Sequence, residues 1–423
     1  MEYQYAKGYK RWNAQLFAGA VGQFVSSMGN IFSGVSVLTP NMELKPKYSA
    51  NLALYLQMEK KFLKKKNLTV LVGGRLEYSQ ICEKFKQLRQ DESVGNYVDM
   101  MPVFRAGINY KIDSTYTSFR ASFGQGYRFP TIGERYIMTR VGNYGFYPNP
   151  DLKAETSWNV EVGVNQLYRI GKLEGFVDIA AYYQRYDNYV EFFLGPWLTP
   201  EQERNAFKRY GFRFLNTGPA RIMGIDISTA GEAKLCKKLK TSFYLAYSYT
   251  NPKILDSSYV FFALQAPRYD YNYNGTSTNT TGQIMKYRIE HVVKMDIDFT
   301  FFEFVFMGIS AQYYSLMKNI DYCFYEFDPY SSVAPDYVQQ TKTRLPFSGL
   351  EKYMEDHKKG TWVFGLRSGV EMWNMKFSVI VSNLFNKEYS LRPMAPEAPR
   401  ITTLQLVYKF TEGEPFFPKK KKI

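Results

Sequence analysis

The sequence predicts an all-β fold, a transmembrane antiparallel β-barrel, and three observations lead to this prediction. Apolar and polar residues alternate with a period of two in many segments, the connections between those segments are alternately long and short, and aromatic residues make up 17% of the 423 residues. A period of two is the period of a β-strand. Alternating long and short connections, with aromatic girdles at both membrane surfaces, are typical of outer-membrane barrels.

The stretch from Ser114 to Tyr186 shows the pattern most clearly. In Tyr116–Phe123, Phe119 and Phe123 lie on one face and Arg120 on the other. A long connection follows, and alternation then resumes in two segments that are separated by a short turn at Tyr168–Lys172. An apolar face and a polar face on the same strand indicate that the strand separates two different environments.

Fourteen such segments recur along the chain, which predicts about fourteen strands with long outer loops and short periplasmic turns. They lie near residues 13–25, 47–58, 67–78, 99–110, 115–124, 156–167, 173–186, 220–231, 240–250, 290–300, 304–315, 361–371, 376–383 and 400–410. Residues 1–12 are predicted to hold a partial strand and a turn, and residues 13–410 the barrel. Residues 411–423 have two prolines, four lysines and no alternation, and they are predicted to form an exposed basic tail.

Charged residues on the polar face distinguish a barrel from a soluble sandwich. Val293, Met295 and Ile297 alternate with Lys294 and Asp296 in one of the segments. An unpaired charge in a dry core is too unfavourable to be tolerated, whereas a water-filled or plugged lumen accepts it. The mean hydropathy of −0.35 agrees with a barrel, because only alternate residues of a barrel strand face lipid.

The chain contains no apolar run of about 18 residues, which argues against a spanning helix. The apolar segment Ala14–Val25 is interrupted by Gln15 and Gln23 and is followed by no small-residue cleavage pattern, which disfavours a signal peptide. A protein without a signal would not reach an outer membrane, so we expect the sequence to be the later part of a longer protein.

The net charge of +15 could indicate nucleic acid, an anionic membrane face or an anionic ligand. Lysines cluster at Lys60–Lys66 and Lys419–Lys422, in a predicted turn and in the tail, so nucleic acid is disfavoured as a partner. The three cysteines permit at most one bridge, and a pair between Cys82 and Cys323 is left open.

No catalytic or metal-binding arrangement is recognisable. The two histidines, His291 and His357, belong to no triad, zinc-spaced cluster or phosphate loop. We therefore predict a protein that is not an enzyme and has no cofactor. His291 is interpreted as a lumen or rim residue, and His357 as a solvated one.

Three motifs resemble the C-terminal barrel of TonB-dependent outer-membrane receptors, and together they cover most of residues 99–410. The first is a pair of boxes around one long loop, the second is the strand that begins at Asn216-Thr217-Gly218, and the third is the last hairpin. The residues that carry the resemblance are Arg128, Pro130, Glu134, Asn149, Pro150, Leu152, Glu155, Gly224, Asn383, Leu384, Phe385, Tyr389, Pro399, Arg400 and Phe410.

The resemblance implies a 22-strand barrel in the Gram-negative outer membrane, in contact with lipid and lipopolysaccharide. It further implies uptake of a small anionic nutrient chelate, with a ferric siderophore favoured. In the family the TonB complex acts through a plug domain, which is absent from this sequence. The sequence also continues beyond Phe410, where such receptors usually end. An open sheet would leave unpaired edges in lipid, so the chain is expected either to be a fragment or to close as a smaller barrel.

Two loops supply candidate ligand-binding residues, because arginine pairs with oxyanions and aromatic faces stack on aromatic ligands. They are Arg135, Tyr136, Arg140, Tyr144 and Tyr147 in the first loop, and Tyr269, Tyr271 and Tyr273 in the second. The first loop lacks the histidine that haem receptors of the family carry there, so haem is disfavoured. The same residues could contact lipopolysaccharide phosphates or form the girdle. The second set could form a sugar-binding face or an extension of a barrel strand.

Two other functions remain compatible with the sequence. One is a stand-alone passive outer-membrane channel of about fourteen strands. The other is a surface β-rich binding protein.

Overall fold

A computed structural model describes residues 2–27, 47–63, 67–83, 97–136, 139–141, 144–197, 210–265, 268–339, 349–392 and 395–409. Its main feature is a fifteen-stranded sheet. The strands are β1 (Glu2–Tyr9), β2 (Ala14–Ser27), β3 (Lys47–Phe62), β4 (Leu68–Glu83), β5 (Tyr97–Ile112), β6 (Thr117–Arg128), β9 (Glu155–Ile170), β10 (Leu173–Asp187), β13 (Ala220–Cys236), β14 (Leu239–Ile254), β17 (His291–Phe301), β18 (Val305–Tyr314), β19 (Thr361–Met372), β20 (Met375–Ser382) and β23 (Ile401–Tyr408).

Each strand of this sheet pairs antiparallel with the next one in the sequence, from β1 at one edge to β23 at the other. The antiparallel fold predicted from the sequence is confirmed. The sheet has one strand more than the fourteen full segments, because Glu2–Tyr9 pairs along its whole length with β2. Among the residues that the structure describes, β1 and β23 do not pair with each other.

Short turns and long connections alternate along the sheet, as the sequence predicts. Trp373 and Asn374 form the turn between β19 and β20, and both have positive φ angles of 50° and 63°. Two successive residues with positive φ match the right-handed twist of the flanking strands. All the short turns lie at one end of the sheet, because its strands alternate in direction, and β23 runs toward that end.

One face of the sheet is apolar and exposed. Leu54 is 63% exposed, Phe104 60% and Leu404 68%. The register joins such residues from strand to strand, for example Ile225 and Ala181 on neighbouring strands. An apolar face of this extent is stable only against lipid or another apolar surface.

Aromatic residues flank the apolar band at both ends. Near the long connections, the rings of Trp158 and Tyr183 are 5.3 Å apart, and those of Tyr313 and Trp362 are 5.1 Å apart. At the short-turn end, the rings of Phe302 and Phe304 are 6.2 Å apart. Paired aromatic belts of this kind mark the two membrane–water interfaces of a barrel.

His291 belongs to the belt near the long connections. Its ring stacks on Tyr249, with centroids 5.0 Å apart, and its Nδ1 lies 3.0 Å from Tyr247 Oη. Val293, two residues along the same strand, is on the apolar face. The rim interpretation is therefore correct, and the lumen interpretation is wrong.

The opposite face carries ion pairs that cross neighbouring strands. Arg120 on β6 contacts Asp178 on β10 at 2.7 Å and Glu161 on β9 at 3.1 Å. Arg367 on β19 contacts Asp296 and Asp298 on β17 at 2.8 and 2.6 Å. These side chains are partly exposed, which fits the wall of a polar lumen.

The long connections fold into a layer at one end of the sheet. A small sheet has the strand order β11-β12-β8-β7, and its strands are β7 (Thr139–Val141), β8 (Tyr144–Phe146), β11 (Val190–Pro196) and β12 (Tyr210–Asn216). One hairpin consists of β15 (Phe262–Gln265) and β16 (Arg268–Tyr271), and a second one consists of β21 (Ser390–Arg392) and β22 (Ala395–Pro396). The α-helices are α1 (Ile132–Tyr136), α2 (Tyr273–Thr276), α3 (Cys323–Glu326), α4 (Asp336–Gln339) and α5 (Leu350–Asp356). We call this assembly the outer-loop layer.

The outer-loop layer has apolar cores of its own. One core joins Leu194 of the small sheet to Ile320, Phe324 and Met354 of the β18–β19 connection. None of the helices in the described ranges is long and apolar enough to cross a membrane.

One interpretation of the sequence is wrong, and one question that the sequence left open is answered. The strand that contains Tyr269 and Tyr271 pairs with β15 in a separate hairpin, so it is not an extension of a barrel strand. Tyr273 begins α2 and is only 5% exposed. Cys323 is a free thiol, so it forms no bridge with Cys82, whose side chain lies outside the described residues.

Candidate ligand-binding site in the outer-loop layer

The stem of the first long loop is closed by charged groups at the end of β6. Arg128 Nη1 lies 2.5 Å from Glu134 Oε1, and Arg128 Nε lies 4.0 Å from Glu155 Oε1. Glu134 also forms a capping box with Thr131. Its carboxylate accepts the Thr131 N–H at 2.8 Å, and its own N–H donates to Thr131 Oγ1 at 3.2 Å. The two boxes noted in the sequence therefore meet in space.

Arg135 lies in the interior of this loop. Its side chain is 5% exposed, and it donates to the carbonyl oxygens of Leu152, at 2.5 Å, and of Pro150. Leu152 is completely buried. Arg135 therefore joins the two boxes, while Tyr136 beside it is partly exposed and lies under the guanidinium group.

Tyr147 is also buried, at 8% exposure. Its N–H donates to the carbonyl of Phe212 at 2.9 Å. Its ring covers Gly145 and Gly211, and a Cβ at either glycine would collide with the ring. These glycines allow the parallel pair of β8 and β12 to form beneath the ring. The side chains of Arg140, Tyr144 and Tyr269 lie outside the described residues.

A buried ion pair connects the β14–β17 and β18–β19 connections. Lys286 Nζ lies 2.6 Å from Asp321 Oδ1 and donates to Thr276 Oγ1 at 2.7 Å. The hydroxyl group of Tyr287 donates to the other oxygen of Asp321, and burial raises the pKa of Tyr287 well above its ordinary value. Each charge in this network has partners, as a buried charge requires.

Asn319, which is fully buried, extends the same network. Its Nδ2 donates to Tyr273 Oη at 2.9 Å and to the Ile284 carbonyl at 2.8 Å, and its Oδ1 accepts the N–H of Asn279 at 3.1 Å. Burial raises the pKa of Tyr273 to about 12. Tyr273 is thus a neutral hydrogen-bonding group inside the layer.

A second group of residues combines aromatic rings with one arginine. The Arg213 guanidinium lies 5.3 Å from the ring of Trp197 and 6.0 Å from that of Phe262. The Trp197 and Phe262 rings are 4.7 Å apart, and Tyr271 lies 5.7 Å from Phe262. We call Trp197, Arg213, Phe262 and Tyr271 the aromatic–arginine group.

Arg213 in this group has spare hydrogen-bonding capacity. Its Nε is buried and has no hydrogen-bond partner among the residues that the structure describes, and burial lowers the pKa of Arg213. A cation between two rings with an unused donor can accept an anionic aromatic ligand. The sequence interpretation included Tyr271 and missed the other three residues, because they lie in connections without a motif. The apolar–polar alternation at 190–197 and 210–216 was the available signal.

Charged side chains also collect where the outer-loop layer meets the sheet. Arg288 Nη2 donates to Tyr189 Oη at 2.6 Å. Glu155 accepts the N–H of Val190 at 2.8 Å. The pKa of Glu191 is raised above its ordinary value, mainly by burial, and the positive charges of Lys286 and Arg288 offset part of this shift. This zone is a cluster of polar and charged side chains.

The residues of the last hairpin motif surround a cavity of about 210 Å³ between the inner faces of β18–β20 and the final connection. Asn383, with a φ of 48°, holds this connection by donating to the carbonyls of Lys387 and Ala398. Tyr389 and Pro399 line the cavity, and the N–H of Arg400 donates to Asn386. The N–H of Leu384 donates to the Phe364 carbonyl, and Phe385 is 71% exposed.

Gly224 on β13 is a position of close approach, because a Cβ there would collide with the carbonyl of Tyr249 and the ring of Tyr182. Pro130 is buried, and Asn149 Nδ2 donates to the Phe214 carbonyl at 2.8 Å. Phe410 and the tail lie outside the described residues. In the described ranges, no group of three or more histidine, cysteine and acidic residues could hold a metal ion.

A sheet with an apolar outer face, a charged inner face and folded loops at one end is typical of outer-membrane β-barrels. The chain belongs to the family of TonB-dependent receptors: the family model described as "TonB dependent receptor-like, beta-barrel" matches residues 3–384. Barrels of this family sit in the Gram-negative outer membrane, and its members are receptors and transporters.

Solved structures of other receptors share this fold. The FrpB iron transporter from Neisseria meningitidis has a TM-score of 0.58 at 13% identity, over 97% of this chain and 55% of that one. The copper transporter OprC has a TM-score of 0.57 at 15% identity, over 94% and 55%. The haemophore receptor HasR from Serratia marcescens has a TM-score of 0.57 at 12% identity, over 97% and 58%. The chain thus spans about half the length of these structures.

A curated relative, described as a probable hemoglobin and hemoglobin-haptoglobin-binding protein 3 of Haemophilus influenzae, is 29% identical over 153 residues. The matched segment is 36% of this chain and 13% of that protein.

Proposed function

We propose that this chain supplies the outer loops and lumen wall of an outer-membrane receptor for the uptake of a small anionic nutrient chelate. A ferric siderophore is the favoured ligand. The observation that carries the proposal is the aromatic–arginine group in the outer-loop layer. There Arg213 lies against Trp197 and Phe262, and its buried Nε has no partner in the described part of the chain.

The chemistry of the ligand follows from these residues. Siderophores that bind iron through aromatic oxyanions offer both a negative charge and a flat ring. Arginine pairs with the oxyanion, and Trp197 or Tyr271 stacks on the ring. The charged inner face below, with Arg120 and Arg367 in ion pairs, gives a polar surface along which such a ligand can pass.

The same proposal includes the location and partners that the family resemblance implies. The chain lies in the Gram-negative outer membrane, among lipid and lipopolysaccharide. Coupling to the TonB complex acts through a plug domain and not through these strands. Arg140, Tyr144 and Tyr269 stay candidates for ligand contact, together with Tyr136 and Tyr271.

Acquisition of haem or haemoglobin is a second candidate, and the Haemophilus influenzae relatives favour it. Of the two histidines, His291 lies in the aromatic belt of the apolar face. His357 stacks on Tyr353 with ring centroids 4.0 Å apart. A haem iron ligand from this chain would therefore be His357, a tyrosine, a methionine or a cysteine.

The two candidates are separated by a growth and binding experiment. Arg213→Gln and Trp197→Ala variants are expressed in iron-starved cells that depend on this receptor, and growth is scored on ferric catecholate and on haemoglobin as iron sources. The matched control is Lys352→Gln, because Lys352 is an exposed basic residue on α5.

We expect Arg213→Gln to weaken ferric catecholate binding about tenfold or more, as loss of a charged hydrogen-bonding partner does, and the control to bind normally. If cells with the native receptor grow on haemoglobin but not on ferric catecholate, the ligand is haem or haemoglobin and not a siderophore. Normal catecholate binding by both variants would refute the role of the aromatic–arginine group.

A further inference from the structure

Three basic side chains lie side by side on the apolar face, at the ends of β10, β13 and β14 that lead into the outer-loop layer. Arg185 is the register partner of Arg221, and Arg221 is the register partner of Lys253. Adjacent strands are about 5 Å apart, so the three residues form a row roughly 10 Å long. We call them the basic row.

The direction of the basic row follows from the alternation of each strand. Tyr183 and Asn251 precede Arg185 and Lys253 by two positions, and Met223 follows Arg221 by two positions on the antiparallel strand between them. All three therefore occupy the same face as the basic row. Below them on that face are Ala181, Ile225 and Tyr249, again as register partners. The row therefore stands at the border where the apolar surface ends, next to the aromatic belt that contains Trp158 and Tyr183.

Among the residues that the structure describes, the basic row has one acidic partner. Arg185 has Asp187 at 3.8 Å, and both side chains are about half exposed. Arg221 contacts the sulfur of Met223, which carries no charge. Like charges on directly opposed strand positions are unfavourable, so the arrangement is stabilised when an anion lies across it.

We propose that the basic row binds the phosphate groups of lipid A in the outer leaflet. The apolar face below the row receives the acyl chains, and the aromatic belt lies at the level of the headgroup. Phosphate is the acceptor that arginine recognises with paired hydrogen bonds. This inference relies on the outer-membrane location in the proposed function, but not on the identity of the transported ligand.

The test uses the full protein purified from outer membranes in detergent. Binding of bisphosphorylated lipid A is measured for the native protein and for the triple variant Arg185→Gln, Arg221→Gln and Lys253→Gln. Heat-modifiable migration on gels shows that each variant has folded. We expect the triple variant to bind about 100-fold more weakly, since each basic group near a membrane surface contributes about a factor of five.

The matched control removes three charges at the short-turn end, with Arg169→Gln, Lys172→Gln and Lys237→Gln, all exposed residues. This control is expected to bind lipid A as the native protein does. Dephosphorylated lipid A is expected to bind the native protein about as weakly as bisphosphorylated lipid A binds the triple variant.

Three outcomes would overturn the proposal: unchanged lipid A binding in the triple variant, an equal loss in the control, or equal binding of dephosphorylated lipid A. Competition by inorganic phosphate as strong as that by lipid A would assign the row to a free anion instead. Failure of siderophore uptake with intact lipid A binding would refute only the proposed function.

Discussion

Lys286 and Asp321 form an ion pair of 2.6 Å whose side chains are only 5% and 2% exposed. Lys286 belongs to the β14–β17 connection and Asp321 to the β18–β19 connection, so the pair ties two outer loops together. Thr276 and Tyr287 complete the hydrogen bonds of the pair. We expect this contact to stabilise the outer-loop layer.

Replacement of Asp321 by Asn is expected to destabilise the layer by about 3 kcal/mol or more, because it leaves Lys286 as an unpaired buried charge. Hydrogen exchange of the peptides around residues 276–287 and 319–327 measures the effect. Glu355→Gln serves as the control, since Glu355 pairs with Lys358 at an exposed site and should matter by less than about 1 kcal/mol. Equal protection in the two variants would contradict the prediction.

The layer is also expected to depend on pH through Glu191. Its pKa is raised in the folded state, mainly by burial. A carboxyl group with a raised pKa stabilises the fold fully below its unfolded pKa, and this contribution is lost as the pH rises through the folded pKa. The native layer should therefore lose stability as the pH rises from acidic to neutral values. In Glu191→Gln we expect this loss to be smaller, because the glutamine does not ionise.

Limited proteolysis of the layer from pH 4 to pH 8 provides the measurement for Glu191. The exposed Glu174 is the matched control, because Glu174→Gln should leave the pH profile as in the native protein. A profile that Glu191→Gln does not alter would assign the pH dependence to other groups.

Arg135→Gln should detach the two boxes of the first loop from each other. Arg135 is buried and holds the carbonyls of Pro150 and Leu152, and each hydrogen bond from a charged group contributes about 1.5–3 kcal/mol. We expect faster proteolysis of the 129–154 loop and an unchanged heat-modifiability of the barrel. A loop as resistant as that of the native protein would show that these bonds are dispensable.

Arg120→Gln tests the ion pairs of the inner face, and here we expect only a small loss of stability. Its partners Asp178 and Glu161 are partly exposed, so water can solvate them after the change. The midpoint of heat-induced unfolding should fall by the equivalent of less than about 1 kcal/mol. A loss as large as that for Asp321→Asn would mean that the inner face is dry.

The cysteines should differ sharply in reactivity. Burial raises the pKa of the Cys323 thiol well above its ordinary value, whereas Cys236 is exposed. In a Cys82→Ser background, iodoacetamide at pH 8 should label Cys236 readily and Cys323 only after denaturation, because the thiolate is the reactive form. Rapid labelling of Cys323 in the native protein would contradict the burial of its site.

The sequence by itself determined the sheet. Residues such as Val293 and Asp296 alternate with a period of two, and each long strand makes its contacts with the strands next to it in the chain. Local pattern and nearest-neighbour pairing are then sufficient to give the strands, their order and their two faces. Only β1 was undercounted, because its run is short and interrupted by Gly8.

The outer-loop layer was decided by tertiary structure. The parallel pair of β8 and β12 joins residues more than sixty positions apart, and the contact between Lys286 and Asp321 joins two different connections. No local pattern encodes such distant contacts. For the same reason Tyr273 and Tyr147, which look like surface residues in the sequence, are buried, while Arg213 meets Trp197 and Phe262 only when three connections fold together.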